Sequence, residues 1–319
     1  MKKLFGILVF MFGIAFLPAC TFAADTTTPV VSVLGDSIST WDAVSEYPVY
    51  MGYYGEKYPG LSNQNETYWQ MYINCIHGKL GRLGSVGGSK VVNDGTMGDL
   101  YMASDKRIND LGSNGTPDII LFFGGMNDII CRVPTGSLGT ISCGDTSNFA
   151  SAYYTAVCKM RKTYPNAKII CMAPYITGLN SPELTSVYDN LICEIATMCG
   201  VECVDLRTAG LIYTNDTIYR PQAGDYYIHP NFSGMHKIVL RLLDGDIRAQ
   251  FYFDGSCTYF IQSDGSCYQN RLSYDPEGTG IIYFDSWGHM AFNSSWSIGN
   301  YWYFFGNDGR LYYQTPKQT

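Results

Sequence analysis

Positive charge and histidine are scarce in this chain. Its 319 residues carry 21 Lys and Arg against 28 Asp and Glu, a formal charge of −7, and only four histidines. An acidic chain is repelled by a phosphate backbone, which makes it a poor candidate for nucleic-acid binding. Few histidines also restrict the metal sites available. In the cluster Cys193, Cys199 and Cys203 no histidine is near, and Cys193 and Cys199 fall on a predicted helix, so buried thiols or a disulfide fit better than zinc. The glycine-rich stretch 84–88 lacks the Gly-x-Gly-x-x-Gly spacing between a strand and a helix, and no nucleotide, flavin or metal cofactor is expected.

A long apolar run is missing as well. Residues 4–17, after Met1-Lys2-Lys3, are too short to span a bilayer comfortably and read as a secretory signal peptide, residues 1–23. Thr21-Phe22-Ala23 offers a cleavage site before Ala24, and Leu17-Pro18-Ala19-Cys20 offers a lipoprotein anchor at Cys20. The expectation is a secreted or cell-surface protein. Cysteine usage fits export: of the 11 cysteines, an even number remains without Cys20. Cys131 with Cys143, and Cys257 with Cys267, are close enough in sequence to staple loops.

What the chain does contain is an alternation of apolar strand signals and helical patterns, which predicts a parallel sheet covered by helices. Residues 168–172 and 201–204 read as buried strands. Between them Ser181 caps a helix, Pro182 opens it and Gly200 stops it. A helix over 149–164 ends at Pro165, and another begins near Ser233 with Ile238, Val239, Leu242 and Leu243 on its apolar face. The pattern predicts an α/β, flavodoxin-like doubly wound sheet, in which ligands sit beyond the carboxyl ends of the strands.

After about Asp246 the helical periodicity stops. Tyr259-Phe260, Tyr283-Phe284 and Tyr303-Phe304 each lead to a glycine turn, at Gly265, Gly288 and Gly309, a spacing of roughly 22 residues that suggests β-hairpin repeats. For any single ring the plainer reading is the core of a small β domain.

Three polar blocks stand where a doubly wound fold would gather them. The run 31–34 breaks at Gly35-Asp36-Ser37, the apolar run 119–123 leads to Gly124-Gly125-Met126-Asn127-Asp128, and His229-Pro230-Asn231 precedes the last helix. A serine needs a base within hydrogen-bond reach and donors for an oxyanion before it can act as a nucleophile. Ser37 is the candidate nucleophile and His229 the candidate base. His77 and His236 fall in helical patterns, and His289 falls in the repeat segment.

The order of these blocks resembles the SGNH (GDSL-type) hydrolases, over roughly residues 29–246. The resemblance implies a catalytic domain over 26–246, followed by a module over 251–319 that resembles cell-wall-binding repeats of choline- and glucan-binding proteins. It also implies an oxyanion hole formed by the Ser37 N–H, a loop glycine and the Asn127 amide. Gly88 is the favoured glycine, with Arg107 and Pro117-Asp118 following as in one subfamily; Gly98 also fits. The family's aspartate stands three residues before the histidine, where this chain has Tyr226; Asp225, one place further away, is the candidate third member. Asp36 and Asp128 read as loop builders.

The implied activity is a secreted serine esterase acting on small acyl groups, such as acetyl, on carbohydrate or cell-wall polymer. The alternatives are a lipase or lysophospholipase, and a wall-binding protein whose hydrolase domain has lost activity. Expected partners are an acylated carbohydrate or other ester and, through the repeats, cell-wall glycan or choline.

Overall fold

The computed structural model describes residues 28–41, 54, 60–211, 219, 226–243, 250–253, 257–261, 267–275 and 280–317. Residues 1–23, expected to be a signal peptide, together with Cys20 and Asp225 lie outside the described residues.

Five strands, β1 (Val30–Gly35), β2 (Lys79–Ser85), β3 (Ile119–Phe123), β4 (Lys168–Ala173) and β5 (Glu202–Asp205), form one parallel sheet in the order β2-β1-β3-β4-β5. Because helices cover both faces, the strands are apolar on both sides. Their period of two divides the side chains between two cores. Val31, Val33, Leu121, Phe123, Ile170 and Met172 pack on one face with α1 (Tyr68–Cys75) and α6 (Phe232–Leu242). Leu34, Ile120, Phe122, Ile169 and Cys171 pack on the other with α4 (Phe149–Thr163) and α5 (Pro182–Cys199). Two short helices, α2 (Asp105–Asp110) and α3 (Met126–Ile130), complete the second layer.

Local signals explain the helix limits. Asn148 and Ser181 accept hydrogen bonds from Ser151 N and Leu184 N at the starts of α4 and α5. Gly200 ends α5 at φ +64°, a left-handed conformation that glycine adopts without steric cost. Asn231 caps α6 through Gly234 N.

The chain leaves β1 toward β2 on one side and returns to β3 on the other. The carboxyl ends of β1 and β3 therefore mark the point where strand order reverses, the place where doubly wound folds bind their ligands. Both polar blocks, at 35–37 and 124–128, emerge at that point.

Beyond α6 come antiparallel hairpins: β6 (Gln250–Phe253) with β7 (Thr258–Ile261), β8 (Arg271–Tyr274) with β9 (Ile281–Phe284), and a three-stranded sheet of β10 (Ser294–Ile298), β11 (Tyr301–Phe305) and β12 (Leu311–Pro316). The Tyr-Phe pairs mostly serve as core: Tyr259, Phe260, Tyr283 and Phe284 are buried, while the rings left exposed include Tyr274, Trp287, Tyr312 and Tyr313. The first hairpin is continuous with the α1/α6 layer, because the Tyr259 ring lies 4.3 Å from that of Phe232 on α6.

The short-range disulfide expectation is corrected: among the described residues no disulfide joins Cys131 to Cys143 or Cys257 to Cys267. Cys143 faces Cys158 of α4 instead, and Cys267 Sγ is hydrogen-bonded to His236 Nδ1 at 2.7 Å. Tertiary packing decides which thiols meet, and it overrides nearness in sequence.

Candidate active site

Ser37 opens a one-turn 3-10 helix, Ser37–Ser39, at the end of β1. Asp36 caps that turn, its Oδ1 accepting from Ile38 N at 3.0 Å, and Thr40 Oγ1 closes it by donating to Ser37 O at 2.8 Å. Gly35 is required by space: a Cβ there would come within 2.4 Å of Ser39 Oγ. Behind the turn, Tyr68 OH hydrogen-bonds Ser39 Oγ at 2.7 Å and Trp69 Nε1 donates to Ser39 O at 3.0 Å. Ser37 is thus held on a turn fixed from both sides.

His229 reaches this turn from 192 residues away in the chain, with Nε2 2.9 Å from Ser37 Oγ. Both side chains are nearly buried, at 4% and 5% exposure. The histidine loop is tied down at several points. Tyr54 OH donates to Pro230 O at 2.7 Å, Tyr175 OH donates to Ile228 O, and Asn231 Nδ2 donates to Tyr219 O at 3.2 Å. Tyr226 and Tyr227 just before it have φ of +50° and +57°, left-handed conformations costly for aromatic residues. Gly178 N secures this shape by donating to Tyr226 O at 2.8 Å. Tyr226, at the position three before the histidine, is exposed.

The Asn127 amide, one residue into α3, joins its own block to the serine turn and to the Gly88 loop. Its Nδ2 donates to Asp36 Oδ2 and to Ser89 O, both at 3.1 Å. Next to it Asp128 accepts from Val91 N at 2.9 Å and Val92 N at 3.1 Å, so both acids build loops, as the sequence suggested. Burial raises both carboxyls, Asp36 from 3.8 to about 7 and Asp128 to about 6, against the lowering effect of the backbone N–H groups they accept.

The turn that holds Gly88 is docked on the serine block. Val86 N donates to Gly35 O at 3.1 Å, Ser89 N to Val86 O at 3.1 Å, and Gly88 has φ +74°, the conformation a type II turn needs at its third residue. Gly98 instead opens an exposed 3-10 turn.

The sequence reading noted Arg107 only as part of a pattern, and its position in the fold gives it a larger part. Fully buried, it donates Nη2 to Gly35 O at 2.8 Å and to Gly84 O at 2.6 Å, and Nη1 to Leu100 O at 2.6 Å. One guanidinium thereby locks the carboxyl ends of β1 and β2 together. Its neighbours Asp105, Lys106, Asn109 and Asp110 are polar or charged, so nothing local in the sequence marked Arg107 as buried.

A serine at a strand end, hydrogen-bonded to a histidine across a doubly wound parallel sheet, defines an ester hydrolase of the α/β class. The chain belongs to the GDSL-like lipase/acylhydrolase family, whose model matches residues 29–244. Among solved structures it is similar to a candidate GDSL-like lipase from Bacteroides uniformis, at 26% identity and TM-score 0.51, covering 69% of this chain and 96% of the other. A candidate GDSL-like lipase from Bacteroides ovatus is similar at 20% identity and TM-score 0.50, covering 68% and 97%. A search of curated proteins finds no match.

Proposed function

We propose that this esterase is exported and removes small acyl groups, acetyl foremost, from carbohydrate or cell-wall polymer by covalent catalysis. The observation that carries the reading is the 2.9 Å contact between Ser37 Oγ and His229 Nε2. His229 takes the hydroxyl proton as Ser37 attacks the ester carbonyl, then donates it to the departing alkoxide. Water repeats the sequence on the acyl-enzyme and frees the acid. The oxyanion is held by the backbone N–H groups of Ser37 and Gly88 and by the Asn127 amide, one of whose hydrogens turns from the Ser89 carbonyl to the developing charge. Asp225 is the group proposed to orient the imidazole.

The small acyl group is supported by the nearly buried Ser37 and His229, which suit a short chain better than a long one. The closed Ser–His contact favours an active enzyme over a hydrolase domain that has lost activity. In the hairpins, the exposed rings of Tyr274, Trp287, Tyr312 and Tyr313 support binding to cell-wall glycan or choline.

Hydrolysis of p-nitrophenyl esters of rising chain length tests the reading. Turnover should fall from acetate to longer chains, and Ser37→Ala should lower kcat by about 10⁴-fold or more. Unchanged turnover in Ser37→Ala would refute the assignment. Retention of the full-length Ser37→Ala protein on cell walls, lost when Tyr312 and Tyr313 become alanine, would test the binding role.

A further inference from the structure

We propose that Cys193 and Cys203 form an intramolecular disulfide that fastens the edge strand β5 to α5. The argument starts from the ladder between helix and strand. Asp189 and Cys193 are four residues apart on α5 and share a face, and Cys203 and Asp205 are two apart on β5 and share a face. Arg207 fixes the register of these two faces. Its Nε and Nη2 donate to the Asp205 carboxylate at 2.9 and 2.6 Å, and its Nε lies 3.5 Å from Asp189 Oδ2.

Because α5 connects two parallel strands, it runs opposite to β5. Four residues forward along the helix cover about 6 Å. Two residues back along the strand cover about 6.6 Å. The rung after the ion pair therefore sets Cys193 against Cys203, both packed on the same core cluster, and each thiol perturbs the other. Both residues are half-buried free thiols. Cys199, although nearer to Cys203 in sequence, points to Cys158 of α4.

The chemistry follows from the environment. The Cys203 S–H and the nearby Arg207 favour the thiolate at Cys193, which makes it the attacking sulfur, while Cys203 is held as a thiol. Cys193 thiolate attacks one sulfur of a small disulfide such as oxidised glutathione, whose S–S bond breaks and releases one glutathione thiolate. Cys203 then gives up its proton to solvent, and its sulfur attacks Cys193 sulfur and displaces the second glutathione thiolate. Two protein thiols are oxidised and one small disulfide is reduced to two thiols. The product closes a short ring at the edge of the sheet, on the strand from which the chain leaves toward the His229 loop.

The test uses the full-length protein brought to equilibrium with oxidised glutathione, alkylated and digested with Glu-C and trypsin. Cleavage after Glu183, Glu194 and Glu202, with a tryptic cut after Arg207, places Cys171, Cys193, Cys199 and Cys203 on separate peptides, with Cys203 parted from Cys257 and Cys267. The expected result is a disulfide-linked pair of the Cys193 and Cys203 peptides. The oxidised protein should also melt roughly 5–10 °C above the reduced one. Cys193→Ser should lose both the linked peptide and the oxidation-dependent rise, while melting like the reduced parent; Cys203→Ser is the independent check. Both cysteines recovered alkylated, either one linked to Cys171 or Cys199, or an oxidation-dependent rise that survives in Cys193→Ser would overturn the proposal.

Discussion

Asp36→Asn should make the protein more stable and less active at alkaline pH. The wild-type carboxyl is fully buried, and burial raises it from 3.8 to about 7. Below pH 3.8 it is protonated in both folded and unfolded chains and costs nothing. Between 3.8 and 7 the unfolded chain ionises while the folded one does not, so stability falls with rising pH, and above 7 the full penalty of roughly 4 kcal/mol is in place. Asparagine never ionises and escapes that penalty. Against this, Asp36 accepts from both Ile38 N and Asn127 Nδ2, and an amide has one oxygen to offer them; the lost bond costs about 1–2 kcal/mol. The net expectation is a variant about 2 kcal/mol more stable than the wild type at pH 8 and about 1 kcal/mol less stable at pH 4. The loosened Asn127 amide should lower kcat/KM by about 10²-fold. Urea unfolding at the two pH values, paired with p-nitrophenyl acetate hydrolysis, measures both. A variant equally destabilised at pH 4 and pH 8 would show that charge burial is not the cause, and full activity would refute Asp36 as the anchor of Asn127.

Two further perturbations test the frame around the site. Arg107→Met removes a guanidinium that donates to three backbone carbonyls in a dry setting, and chemical denaturation should register a loss of about 3–5 kcal/mol; a loss below about 1 kcal/mol would mean those carbonyls find other donors. His289, raised from 6.5 to about 10 chiefly by Asp285 at 3.4 Å and then by buried Glu66 at 3.9 Å, joins the hairpin module to the α1/α6 layer. Its contribution is present in full below pH 6.5 and disappears as pH rises through about 10, so wild-type stability should fall by about 2 kcal/mol over that window and His289→Gln should flatten the profile; parallel profiles for the two proteins would exclude the latch.

The resemblance of the ordered blocks led to Ser37, Asn127, His229 and the Gly88 loop because each sits at the end of a strand or the start of a helix, where local signals are strong. The caps at Ser181 and Gly200 and the break at Gly35 are properties of a few neighbouring residues, and they fixed the alternating elements before any packing was known. The aromatic hairpins were legible for the same reason, whereas the fate of their rings was not: Tyr259 became core because α6 offered Phe232 beneath it.

By itself, then, the sequence determined the local elements, the doubly wound alternation and the residue types of a hydrolase. Only the tertiary structure decided the contacts that depend on strand order and helix placement. The switch point brought His229 within 2.9 Å of Ser37. The ends of β1 and β2 drew Arg107 inside. The thiols that meet are Cys193 and Cys203 across helix and strand, while Cys131 and Cys143, close in sequence, remain unbonded. The physical reason is the same in all three: a sheet converts residues far apart in the chain into neighbours, and no local propensity encodes which strand will stand beside which.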